Sequence, residues 1–383
     1  MRYVVEEIAR TLGRDVPLDV ISGTSAGSIN AGMLAAYADR PGERGALLAR
    51  QWTNLEIEDV VRLAPGEILN MATRTLGRGS SGERHRGGIL DPSGIERIVR
   101  NNIPFEAIDG HVRSGRLTAV SISTTHVASG RTVIFVQRGE AGIPRWSTDP
   151  TMVARTCRIR ADHVLASAAV PLLFPAVEID GQFYCDGGLR QNVPLSPARR
   201  LGADGLIVVN PRYIRGDGTP PPEVADARER GFPDPLFVFG KAMNALLLDR
   251  IENDIRRLEK LNAVLAAGER RFGPEFGAAL NEELGRSGES VLRPLDVVYI
   301  RASEDIGVIA AEYVQSPEFA KRVPSLIGRA LRRIGEGESE ADLLSYVLFD
   351  GAFAGRLIEI GRSDARACHD ELATFFAKRL AGS

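Results

Sequence analysis

Residues 19–32, DVISGTSAGSINAG, constrain the fold more than any other stretch. An apolar run, Val20-Ile21, stops at Ser22-Gly23 and gives way to small residues, then to an Ala/Leu-rich run from Ala31 to Ala38. That is the order of a buried strand, a tight turn and a helix. Gly23-Thr24-Ser25-Ala26-Gly27 matches G-x-S-x-G, the pattern of a sharp strand-to-helix turn that projects a serine hydroxyl. The flanking glycines read as a steric need: such a turn leaves no room for a Cβ on either side and favours positive φ. The helix start places partial positive charge beneath the hydroxyl. The amide of Ala26 is then the expected donor to a developing oxyanion. The competing reading is a plain glycine turn with Ser25 as a helix cap. A phosphate-cradling loop is a poorer reading, because no Gly-Lys-Ser/Thr follows.

The rest of the chain supplies strands and helices around that turn. MRYVVEEIARTL carries Val4, Val5, Ile8 and Leu12 at helical spacing, and Glu6, Glu7 and Arg10 interrupt any signal-peptide core. Residues 44–62, 93–101 (with Ser93 as a cap), 151–168, 236–266 and 339–360 read as helical. RLTAVSISTT and RTVIFVQR are β-rich and read as paired strands. AVEIDGQFYCDGG reads as a hairpin turning at Asp180-Gly181. LIVVNP (206–211) and LDVVYIRAS (295–303) read as further buried strands. Residues 72–88 and 212–235, rich in Gly, Ser, Arg or Pro, read as loops. Apolar strands without alternation fit a mostly parallel sheet with helices on both faces.

A serine needs a base. Of the five histidines (His85, His111, His126, His163, His369), His369 alone lies near the C-terminus, where an α/β-hydrolase triad would place one. It sits in a helical stretch, DARACHDELATFF, whereas a triad histidine usually needs a loop, so it reads better as an ordinary helix-surface residue. The other candidate is Asp186, at the end of the strand FYC and ahead of Gly187-Gly188. Its ordinary pKa of about 3.9 makes it a weak base unless burial raises it. Chemistry alone leaves it balanced against a turn carboxylate that caps its own loop.

Together these residues resemble the patatin-like phospholipase family. In that family a Ser-Asp dyad acts without histidine. The resemblance assigns Ser25 as nucleophile in the motif Gly23, Thr24, Ala26, Gly27, and Asp186 as base in Asp-Gly-Gly with Gly187 and Gly188. Residues 166–194 look like the family's second block, and 89–99 and the strand near 116–135 also resemble family segments. The resemblance implies a three-layer α/β/α fold with a mostly parallel central sheet and a helical C-terminal extension. One departure stands out. The family's glycine-rich oxyanion loop, with the first strand, precedes the helix in which this sequence starts at Met1. A chain that begins there lacks oxyanion donors beyond the Ala26 amide, and the loss of a central strand would leave a sheet edge and apolar surface uncovered. The expectation is therefore that the natural start lies upstream, the competing view being a genuinely shortened protein of weak or absent hydrolase activity.

The expected organisation is a catalytic domain at 1–210, a linker at 211–235, and a mainly helical part at 236–383 packed on the catalytic domain. The implied activity is acyl-ester hydrolysis on lipids or phospholipids through an acyl-serine, with no cofactor and no metal. The alternatives are a lipid-binding protein that lacks the oxyanion loop, and a Ser-Asp-His esterase using His369. Lys+Arg 48 against Asp+Glu 50 gives no support to nucleic acid as a partner. Cys157, Cys185 and Cys368, odd in number and widely spaced, argue against a disulfide framework and for a reducing, cytoplasmic setting. Peripheral membrane contact follows from a lipid substrate, with Arg74, Arg78, Arg84 and Arg86 as candidates for headgroups. Phe237, Phe239 and Leu246–Leu248 are candidates for an acyl pocket or for core. Asn192 reads as a loop-holding residue or a cap.

Overall fold

The computed structural model describes residues 1–60, 88, 90–139, 142–143, 146, 150–189, 195–213, 238, 240–243, 251–287, 291–335 and 342–381. Arg74, Arg78, Arg84, Arg86, Asn192, Phe237, Phe239 and Leu246–Leu248 lie outside them, as do most of 72–88 and 212–235.

One strand organises the site. β2 (Ala119–His126) is buried along nearly its whole length. One edge pairs antiparallel with β3 (Thr132–Arg138), as the two β-rich runs predict. The other edge is shared by two strands. β1 (Val20–Thr24) runs parallel along Ala119 to Ser123, and β6 (Gln182–Asp186) runs antiparallel along Thr124 to His126. Thr24 therefore ends beside Ser123 and Asp186 ends beside Thr124. The two strands arrive head to head on one rail, and whatever follows them must meet.

β5 (Val177–Ile179) and β6 form the expected hairpin. Asp180 and Gly181, at φ 49° and 76°, supply the two left-handed residues of its turn. β4 (Met152–Thr156) pairs parallel with β3 and completes a six-stranded sheet. The sheet is mixed, with parallel pairs at β1–β2 and β3–β4 only, because the short links β2–β3 and β5–β6 force antiparallel neighbours.

The helical reading of 151–168 is corrected: β4 takes its first part and a helix occupies only Ala161–Ser167. The apolar spacing there looked helical, but pairing with β3 overrides it. The 44–62 segment breaks after Arg44–Thr53 and resumes at Ile57–Val60, and 339–360 breaks before Gly351–Ala367. At that second break the buried Asp350 carboxylate accepts from the amides of Ala352 and Phe353. Ser93 is not the cap of Ser93–Asn102; Asp91 accepts its amide instead.

β7 (Gly205–Asn210) and β8 (Asp296–Arg301) form a separate parallel pair, joining residues from either side of 211–235. Alternation sends their side chains to two cores. Leu206, Val208 and Leu295 pack with Ile255 and Leu258, whereas Val298 and Ile300 pack with Val4, Val5, Ile8, Phe375 and Phe376. The N-terminal helical turns Val4–Ile8 and Ala9–Leu12 are thus buried through the predicted residues Val4, Val5 and Ile8. The largest core joins Ile29, Leu34 and Ile122 to C-terminal Ile309, Tyr313 and Phe353.

The edge of β1 that faces away from β2 has no strand partner among the described residues. A cavity of about 2040 Å³ is lined by β1 and β7. The helix Leu195–Arg200 packs against both strands.

Candidate active site

The turn after β1 leads directly into the helix Ala26–Ala36. Ser25 has φ 55° and ψ −132°, a conformation L-residues rarely adopt. Such a residue costs about 1–3 kcal/mol and needs its surroundings to hold it. Three bonds do so. The Ser25 N–H donates to Ser167 Oγ at 3.0 Å. The Ser25 carbonyl accepts from the Ser28 amide at 2.8 Å and from Ser28 Oγ at 2.6 Å.

The glycines differ in their reasons. A Cβ on Gly23 would overlap the Gly27 carbonyl oxygen and lie 2.7 Å from Ala31 Cβ, so only glycine lets the helix cross the strand this closely. A Cβ on Gly27 would meet nothing within 4 Å. The steric argument thus holds at Gly23 and fails at Gly27, which borders the large cavity. The amides of Ala26 and Gly27 are at the helix start, where N–H groups have no intrahelical acceptor.

Ser25 Oγ donates to Asp186 Oδ2 at 2.6 Å. Asp186 is fully buried and every polar group on it is engaged. Its Oδ1 accepts from the Gly188 amide at 2.7 Å, its carbonyl from Thr125 Oγ1 at 2.9 Å, and its N–H donates to Ala169 O at 2.9 Å. Burial pushes its pKa up to about 6, against the bonds from Ser25 and Gly188, which favour the carboxylate. A Cβ on Gly187 would overlap the Ser123 carbonyl oxygen, so the chain leaving β6 passes too close to β2 for any side chain.

The structure brings Ser25 and Asp186 together and leaves His369 elsewhere. The His369 ring nitrogens face Tyr3 Oη at 3.0 Å and Thr11 Oγ1 at 3.4 Å, against the N-terminal helix. Among the other described histidines, His163 is buried against Phe135 and burial lowers its pKa to about 4. His111 faces Ala35 O, and His126 faces Ser129. All three cysteines are free thiols, and burial pushes Cys157 and Cys185 up to about 12 and about 11. Sequence reasoning missed Ser167, Thr125 and Ser28. Nothing in their local pattern separates them from the small residues around them.

A family model for patatin-like phospholipases matches residues 4–199, about half of the chain and both members of the pair. The chain belongs to the patatin-like phospholipase family. No curated protein gives a match. Members of this family are lipid acyl hydrolases, and the three-layer arrangement seen here is the patatin fold. In this family member the cavity beside Ser25 has, among its lining, the apolar residues Ile29, Leu34, Leu48, Phe174, Leu348 and Phe353. No described helix is long and apolar enough to cross a membrane.

Proposed function

We propose that Ser25 and Asp186 form a catalytic dyad that hydrolyses acyl esters of lipids through an acyl-serine. The observation that carries this reading is the 2.6 Å bond from Ser25 Oγ to a fully buried carboxylate whose pKa stands at about 6. At neutral pH such a group is mostly ionised yet basic enough to take a proton in the transition state.

In the first half-reaction the Asp186 carboxylate takes the hydroxyl proton as Ser25 Oγ bonds to the acyl carbon. Collapse of the tetrahedral intermediate breaks the ester C–O bond, and the leaving alcohol takes that proton from Asp186. In the second, water attacks the acyl-serine and passes its proton to Asp186. The serine oxygen leaves and recovers the proton, releasing the fatty acid. The Ala26 amide, at the helix start, is the oxyanion donor we assign, and one such donor supports about 10²–10³ in rate. Gly187 and Gly188 hold the aspartate turn, and Gly23, Thr24 and Gly27 the serine turn. The apolar part of the cavity wall beside Ser25 accommodates the acyl chain, and catalysis belongs to residues 1–210 with the helices of 236–383 packed on them.

The experiment is p-nitrophenyl acyl-ester hydrolysis by the full chain beside Ser25→Ala and Asp186→Asn. Turnover that both substitutions abolish supports the dyad. Turnover that survives Ser25→Ala overturns it. A folded chain that binds lipid vesicles without turnover favours the lipid-binding alternative.

A further inference from the structure

Ser25 and Asp186 stand at the ends of two strands that pair with β2 and, among the described residues, not with each other. Sheet hydrogen bonding therefore sets each against β2 but does not tie one end to the other. The short segment Ser167–Ala169 touches both. Ser167 Oγ accepts the Ser25 N–H at 3.0 Å and donates to Ser123 O, on β2, at 2.7 Å. Two residues on, Ala169 O accepts the Asp186 N–H at 2.9 Å. Ser167 is fully buried.

We propose that Ser167 is a positioning residue for the reaction. Its hydroxyl holds the strained Ser25 peptide so that Oγ points at Asp186. This inference rests on the Ser-Asp reading above.

The chemistry asks for a hydroxyl in particular. The group at this place must accept from Ser25 N–H and donate to Ser123 O at once. A hydroxyl has one proton and two lone pairs, whereas a methyl offers neither and a thiol offers both weakly. Filling space would not need the hydroxyl. Ser25 is the residue whose backbone is strained, and its N–H is the one that Ser167 receives. Without that acceptor the two bonds from Ser28 still hold the Ser25 carbonyl, but its N–H side relaxes toward an ordinary conformation and Oγ shifts away from Asp186. The carboxylate then loses a donor that favours its charged form, so it ionises at higher pH. The same bond spends the Ser25 amide, which leaves oxyanion stabilisation to the residues after it.

The test uses the full chain as wild type, Ser167→Ala, Ser167→Cys, Ser167→Thr and Ser25→Ala. Ester turnover is measured across pH, Ser25 labelling by a fluorophosphonate is followed by intact mass, and folding is checked by circular dichroism. Misplacement of a reacting group by about 1 Å costs on the order of 10²-fold. Ser167→Ala is expected to lower kcat and labelling rate by about 10- to 100-fold with KM little changed, and to move the acid limb to higher pH. Ser167→Cys, which keeps the volume, should resemble Ala; Ser167→Thr, which keeps the hydroxyl, should recover most of the rate. If Ser167→Ala does not fold, the Cys and Thr pair decides alone. Equal activity in Ala, Cys and wild type, or a Thr variant no better than Cys, overturns the proposal. If Ser25→Ala is dead while Ser167→Ala is normal, this inference fails and the dyad stands. If Ser25→Ala stays active, or the wild type neither turns over nor labels, the dyad reading falls and the role of Ser167 with it.

Discussion

Replacing Asp186 by asparagine is expected to stabilise the protein while it abolishes turnover. Burial raises the Asp186 pKa from 3.8 to about 6. A carboxyl with a higher pKa in the folded state binds its proton more tightly there, so its ionised form opposes folding. Below the unfolded pKa it is protonated in both states and the penalty is absent. The penalty grows as pH rises between the two values and is complete above about pH 6. A gap of about 2 pH units at 1.36 kcal/mol each gives about 3 kcal/mol as the upper end. Asparagine keeps the shape and the bonds. Its oxygen still accepts from Gly188 N–H, and its NH₂ donates to Ser25 Oγ once that hydroxyl reverses. Chemical denaturation of wild type and Asp186→Asn at pH 8, 6 and 4 reads the difference. The variant should be the more stable by up to ~3 kcal/mol at pH 8, with the advantage shrinking to about 0.5 kcal/mol by pH 4. A variant less stable than wild type at pH 8, or a difference that ignores pH, would refute the assignment of burial as the cause.

The pH profile of kcat/KM should be flat above about pH 7 and fall by about tenfold per unit below the Asp186 pKa of about 6, since only the carboxylate accepts the serine proton. An acid limb near pH 4 would mean that the base is not buried as described. Gly23→Ala should cost about 1–3 kcal/mol or prevent folding, while Gly27→Ala should leave thermal stability unchanged or slightly raised and alter KM; paired thermal melts and kinetics separate them. Gly187→Ala should cost a similar 1–3 kcal/mol and remove activity, because its Cβ would overlap the Ser123 carbonyl and push Asp186 off its partner, as melting and labelling would report. His369→Ala should retain wild-type turnover and lose about 0.5–1.5 kcal/mol from the bond to Tyr3, measured by the same assays.

Where one local signal decided an element, the sequence was readable. Asp180-Gly181 announces its hairpin because the two turn residues must both be left-handed. The turn at Ser25 is announced by a strand, two glycines and a helix. Asp186 was chemically ambiguous, since its burial is made by strands and helices far along the chain. Ser167 carried no signal, for its partner Ser25 lies 142 residues away and both stand among small residues. The 151–168 stretch misled because its apolar spacing suits a helix, while the free edge of β3 chose a strand. Gly27 looked sterically required by symmetry with Gly23, but the helix approaches the strand at Gly23 alone. The pairing of β7 with β8 was equally hidden, since it joins residues 205–210 to 296–301.

The meeting of β1 and β6 on a shared rail makes chemical competence a sensor of correct assembly. Side chains alternate across a sheet, so a slip of β6 by one residue against β2 would turn Asp186 to the opposite face. A collapsed chain with all its helices and strands formed, but with that register wrong, would be inert. On the Ser-Asp reading proposed above, activity appears only after contacts spanning 161 residues have closed, among the slowest events for a chain to complete. During synthesis, a lipid hydrolase that works by the proposed dyad stays silent until the strand that carries Asp186 has been made and docked.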